Sequence, residues 1–137
     1  MRGYVKVFVF LVVIMATVLS GCKTQPTEQA KPAVGGKLTV LCTPQEDWCV
    51  ALTQKFQADT GIETNYVRLS SGESVARLRA GKDNPEFDVW FGGPADGYMV
   101  AKNEGLLEPY VSPNAAVIPD ALKDKDGYWT GIYVGAL

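Results

Sequence analysis

The chain has 137 residues, 13 of them basic and 15 acidic, for a net charge of −2, and it contains no histidine. That length suits one domain. A mildly acidic chain without a basic run lacks what phosphate-backbone recognition requires, so nucleic acid is not an expected partner. Without imidazole there is no Ser-His or Cys-His catalysis and no His-ligated metal. These numbers favour a small exported globular unit and disfavour most enzyme chemistry, and no metal or cofactor is expected.

Residues 1–6 carry Arg2 and Lys6, and residues 7–19 follow without a charge. Thirteen helical residues at about 1.5 Å each fall short of a hydrocarbon core of roughly 30 Å. The segment reads as an export signal. It ends in Leu19-Ser20-Gly21-Cys22, which resembles the bacterial lipoprotein signal, where small residues precede a cysteine that is lipidated and becomes the new N-terminus. The resemblance implies a signal peptide over 1–21, Cys22 as the lipidation site, and a lipid anchor holding the product at a membrane surface. A plain secretory signal with a coincidental cysteine is the alternative. The exported part would have 116 residues with 11 basic and 15 acidic side chains. Residues 22–36 are polar, with two prolines and Gly35-Gly36, and are expected to form a flexible linker. Folded structure is expected over 37–137.

Residues 37–42 (KLTVLC) predict a buried strand. Thr43-Pro44-Gln45-Glu46 has capping-box form, and Trp48, Leu52 and Phe56 recur every four residues as a helix face should. That face, with Trp48 and Phe56, is expected in the core, and Gly61 is expected to end the helix. A second strand is expected over 62–69, followed by Ser70-Ser71-Gly72-Glu73 and a short helix stopping near Gly81. Phe87-Asp88-Val89-Trp90-Phe91 predicts a third strand with Trp90 in the core, and Gly92-Gly93-Pro94 leads into a helix over 95–104. A loop punctuated by Pro109, Pro113 and Pro119, a turn at 124–127 and a strand-like run over 128–137 complete the chain.

Strands alternating with helices make an α/β fold with a mainly parallel sheet and flanking helices. Every strand-to-helix loop then lies at one edge, where ligands bind in open α/β sheets. Thr43, Gln45, Ser70, Ser71, Gly72, Gly92 and Gly93 should converge there. Helix starts offer unpaired N–H groups and about half a positive charge, so the candidate ligand is an oxyanion such as phosphate, phosphonate or carboxylate. Against this stands the simpler reading that Thr43 and Ser70 only cap their helices, with Glu46 and Glu73 serving the same caps.

Residues 37–41, Asp59-Thr60-Gly61-Ile62, Ser70-Ser71-Gly72-Glu73, Asp88-Val89-Trp90-Phe91-Gly92-Gly93, the run 104–110 and Asp126-Gly127-Tyr128-Trp129-Thr130-Gly131 together resemble the N-terminal lobe of extracellular solute-binding proteins of ABC transporters. The branch is the iron(III)/phosphonate/sugar-phosphate group, and the fold implied is a partial periplasmic-binding-protein-like type II lobe. The resemblance implies a monomer held outside the cytoplasm that takes a small anionic solute to a permease and its ATPase. Iron-binding members often place a histidine after the first strand and a glutamate after the third. Gln45 and Gly93 stand there in this chain, which favours a phosphorylated or phosphonate solute over iron(III). Family members are usually more than twice as long, so the chain is expected to be a fragment or a truncated gene product that lacks the second lobe, with weak or no solute affinity alone.

Cys42 and Cys49 form a candidate disulfide in an oxidising exported setting, two reduced buried thiols being the alternative. Tyr98 and Trp129 are candidate cleft liners. Asp120, Asp124 and Asp126 read as a solvated turn without a calcium loop's ligand set. Ser71 with Lys82 is the one nucleophile–base pairing available for an enzyme. A surface lipoprotein that binds a protein partner without transport is a third reading.

Overall fold

The computed structural model describes residues 35–135. The signal over 1–21, Cys22 and all but the last two residues of the 22–36 linker lie outside the described residues. Gly36 already belongs to the fold, since its carbonyl accepts the Glu63 N–H at 3.0 Å.

Strand β1 (Lys37–Cys42) is the centre of a three-stranded parallel sheet of order β2-β1-β3 among the described residues. It pairs with β2 (Glu63–Arg68) from Lys37↔Glu63 to Cys42↔Arg68, and with β3 (Val89–Phe91) from Val40↔Val89 to Cys42↔Phe91. A strand covered on both edges and both faces needs an apolar run, and Val40, Leu41 and Cys42 are the buried end of β1. Helix α1 (Glu46–Thr60) joins β1 to β2, and α2 (Ser71–Ala80) returns across β1 to β3. Right-handed crossovers in opposite directions place these two helices on opposite faces of the sheet. Helix α3 (Ala95–Asn103) follows β3.

Several elements differ from expectation. The Thr43–Glu46 capping box does not form. Helix α1 starts at Glu46 with Gln45 as N-cap and no side-chain cap. Thr43 cannot take the cap because its N–H still donates to Phe91 O at 3.0 Å, extending the sheet by one rung. Glu46 instead accepts the Tyr66 phenol. The Trp48, Leu52, Phe56 face is not core: these side chains are 46%, 47% and 40% exposed, while Cys49 and Thr53 are buried. Cys49 is bonded to Cys42, which rolls the helix by about the 100° that one residue subtends. Leu52 and Phe56 consequently flank an open apolar cleft of about 270 Å³ with Leu38, Val40, Val89 and Phe91.

Strand β3 is shorter than predicted because Asp88 replaces the ladder with its side chain. Thr39 N–H donates to the Asp88 carboxylate at 2.8 Å, and Asp88 N–H donates to Thr39 O at 3.0 Å. Trp90 is half-buried rather than core. The stops at Gly61 (φ 73°) and Gly81 hold, and the last helix ends one residue early, at Asn103. The proline-rich loop contains two 3-10 turns, Pro113–Val117 and Asp120–Leu122. Residues 128–135 form no strand. Trp129 O and Gly131 N–H bond to Asp124 and Leu122 of the preceding loop, leaving one antiparallel bridge, Lys123↔Thr130.

Of the three acidic residues expected in a solvated turn, Asp120 and Asp126 are exposed and Asp124 is not. Lys102 Nζ donates to Asp124 Oδ1 at 2.7 Å and Asp126 Oδ2 at 2.9 Å, and it lies 4.9 Å from the Tyr128 ring centre. The Lys102 and Asp124 side chains are only 24% and 12% exposed. The Lys102 hydrogen bond holds the Asp124 carboxyl below its ordinary 3.8, against the opposing effect of burial. A depressed carboxyl contributes stability in full above that ordinary value and loses it as the pH falls through the lower folded value. Lys102→Met should therefore lower the urea midpoint at neutral pH, and its gap to wild type should close in acid; a gap independent of pH counts against the clamp. Closing the short Cys42–Cys49 loop should contribute roughly 2–3 kcal/mol. Urea unfolding of the Cys42→Ser/Cys49→Ser chain measures that loss, and intact mass without reductant should be two hydrogens lighter than the reduced chain.

Candidate anion-binding rim

The three strand-to-helix loops meet at the carboxyl edge of the sheet. Gly92 and Gly93 follow β3 with φ of 79° and 92°, a left-handed pair that turns the chain sharply into α3 and that side-chain-bearing residues rarely adopt. A Cβ on Gly92 would stand 2.3 Å from Pro44 Cγ, so the β1 and β3 loops touch there. A Cβ on Gly93 would stand 3.2 Å from both Ser71 Oγ and Thr43 Cγ2. Thr43, Ser71 and Gly93, widely separated in sequence, are thus neighbours.

The residues of this edge divide by what they already hold. Thr43 Oγ1 accepts the Trp90 indole N–H at 2.8 Å and lies 3.5 Å from the Oγ of fully buried Ser74. Its part is to brace β1 against β3. Ser70 completes a capping box: its hydroxyl donates to Glu73 Oε2 at 2.6 Å and accepts from Glu73 N–H at 3.4 Å. The Ser70 hydroxyl and amide hold the Glu73 carboxyl below its usual range. Gln45 is the exposed N-cap of α1 and makes no side-chain cap. Gly92 is fixed by its contact with Pro44, and its carbonyl accepts the Tyr98 phenol at 2.8 Å. Burial drives the Tyr98 phenol well above its ordinary range.

Ser71, Gly72 and Gly93 remain, with Gly72 exposed and the other two half-buried. The first amides of a helix have no intrahelical acceptor, and in α2 the capping box answers Glu73 while Ser74 bonds to Ser70 O. Ser71 and Gly72 therefore present two amides and one hydroxyl, and a Cβ on Gly72 would meet nothing within 4 Å. Gly93 adds a third amide, which donates at 3.4 Å to Tyr133 Oη. Tyr133 stands edge-on to exposed Trp48, with ring centres 5.5 Å apart. Sequence reasoning missed Tyr133, counting it within a strand; no periodicity marks it, because the contact arises from the chain returning over the edge. Trp129 keeps its indole N–H buried without a hydrogen-bond partner among the described residues.

The geometry suits holding an oxygen-rich anion by backbone amides and a hydroxyl. It does not suit nucleophilic catalysis with Lys82, whose Nζ donates to Glu104 O past the far end of α2. No group of three or more Cys, Asp or Glu side chains among the described residues is placed to hold a metal ion.

A parallel α/β unit with its loops gathered at one edge is the architecture of a periplasmic-binding-protein-like lobe, and comparison with known proteins agrees. No family model matches the chain. It is 35% identical over 106 residues to an uncharacterized protein of Haemophilus influenzae, covering 74% of this chain and 31% of that protein. It is 33% identical over 98 residues to the probable ABC transporter periplasmic-binding protein y4fP of Sinorhizobium fredii, covering 72% and 27%. The chain thus spans about a third of the length of these relatives. Among solved structures, the periplasmic binding protein P5PA is 40% identical with a TM-score of 0.61, over 64% of this chain and 28% of that one. AfuA from Actinobacillus pleuropneumoniae, with exogenous fructose-6-phosphate bound, is 34% identical with a TM-score of 0.62, over 64% and 27%. The ferric binding protein from Campylobacter jejuni is 28% identical with a TM-score of 0.61, over 66% and 29%. The chain is related to the periplasmic binding proteins of ABC transporters.

Thr43→Val separates bracing from ligand contact. It leaves the Trp90 indole without an acceptor, which should cost roughly 1–3 kcal/mol. Chemical unfolding followed by tryptophan fluorescence checks this, and an unchanged midpoint would deny Thr43 its structural part.

Proposed function

We propose that this chain supplies the anion-gripping half of a solute-binding protein for an ABC importer. In this reading it works outside the cytoplasm, anchored by a lipid on Cys22. It presents a phosphorylated or phosphonate solute to a permease and its ATPase. The observation that carries it is the meeting of Gly93 with Ser71, the first residue of α2, at the carboxyl edge. Helix-start amides bind an oxyanion without any dedicated cation. The bound fructose-6-phosphate of AfuA supports a phosphorylated solute. Within the candidate set, Ser71, Gly72 and Gly93 make the contacts, Gln45 offers a side chain at the rim, and Thr43, Ser70 and Gly92 hold the loops in place.

Iron(III) is the second reading, favoured by the likeness to the ferric binding protein of Campylobacter jejuni. The chemistry of the rim argues against it: amides, hydroxyls and the Gln45 carboxamide are poor partners for a hard trivalent cation, which prefers anionic oxygen.

Amide-resolved NMR titration of the chain tests both. Fructose-6-phosphate and inorganic phosphate should shift the Ser71, Gly72 and Gly93 amides with roughly millimolar affinity, worth about −4 kcal/mol. Ferric citrate should leave them unbroadened. Shifts scattered away from the edge would refute the anion reading, and selective broadening there by ferric citrate would favour iron.

A further inference from the structure

The Gly93 amide already has an acceptor. Tyr133 Oη lies 3.4 Å from it, long for such a bond, and the ring is half-exposed and packs against the edge of Trp48. A phenol oxygen accepting a long, uncharged hydrogen bond is a weak competitor. An anionic oxygen takes an N–H at about 2.7–2.9 Å and roughly twice as strongly.

Resting on the anion-rim reading, we propose that Tyr133 is a specificity-determining residue whose phenol occupies the Gly93 amide until a charged oxygen displaces it. The exchange filters solutes by acceptor strength. A neutral hydroxyl compound would trade one uncharged hydrogen bond for another and gain almost nothing. A phosphate or phosphonate oxygen gains the charge-assisted bond, and the phenol moves off. Trp48 registers the exchange, since its contact with the Tyr133 ring is lost as the phenol leaves. The other groups at this point do not compete for the amide: the Tyr98 hydroxyl is committed to Gly92 O and Trp90 O, and Thr43 Oγ1 to the Trp90 indole.

The test is an NMR titration of the full chain with inorganic phosphate, and with glycerol as the neutral comparison. In wild type, phosphate should shift the Gly93 amide and the Trp48 indole N–H together, while glycerol shifts neither. In Tyr133→Phe, which keeps the ring, phosphate should bind roughly two- to fivefold more tightly, the equivalent of freeing one weak hydrogen bond. Tyr133→Ala should tighten binding in the same direction. Unchanged or weaker binding in Tyr133→Phe, with the Gly93 amide still responding, overturns the role of Tyr133 and leaves the rim intact. A wild-type Trp48 signal that stays still while Gly93 shifts does the same. Phosphate moving none of the Ser71, Gly72 and Gly93 amides in either protein overturns both readings.

Discussion

Parallel pairing on both sides of β1 governs the rest of this molecule. Because β2 and β3 run in the same direction as β1, each strand hands over to its helix at the same edge, and three loops must share a small space there. Thr43 shows how tightly they are drawn in. Its backbone extends the pairing with β3, its hydroxyl receives the Trp90 indole, and its methyl lies against Gly93. The edge is therefore set by the sheet, and loop chemistry decides only what it can grip.

The same constraint explains why residues that hold the loops together alternate with residues left uncommitted. Of two adjacent serines, Ser70 closes a capping box and Ser71 lies against Gly93. Of two adjacent glycines, Gly92 is pressed onto Pro44 while Gly93 turns its amide to the rim. Such alternation follows from the chain passing over an edge, where successive residues point to opposite sides.

The α/β class, the order of the elements, the capping box at Ser70 and the stops at Gly61 and Gly81 were legible because each depends on neighbours within a few residues. The nearness of Thr43, Ser71 and Gly93 was legible too, since topology alone dictates it. The roll of α1 escaped although the Cys42–Cys49 pairing, only seven residues apart, was expected: the helix periodicity pointed to Trp48 and Phe56, and Cys49 and Thr53 face inward in their place. The rest of what escaped depends on partners far along the chain. Asp88 shortens β3 by reaching across to Thr39. Lys102 draws in an aspartate turn more than twenty residues away, and Tyr133 lands on Gly93 forty residues upstream. Local pattern carries no trace of such long-range contacts.

The empty surroundings of Gly72 set the edge's capacity for change. An added side chain at Gly92 collides with a proline ring, and one at Gly93 crowds Ser71 and Thr43, yet at Gly72 there is open room over the helix start. A Cβ there disturbs no neighbour, and replacing glycine removes its cost within a helix. Gly72 is thus the position of this edge most open to substitution, while the framework around it stays fixed.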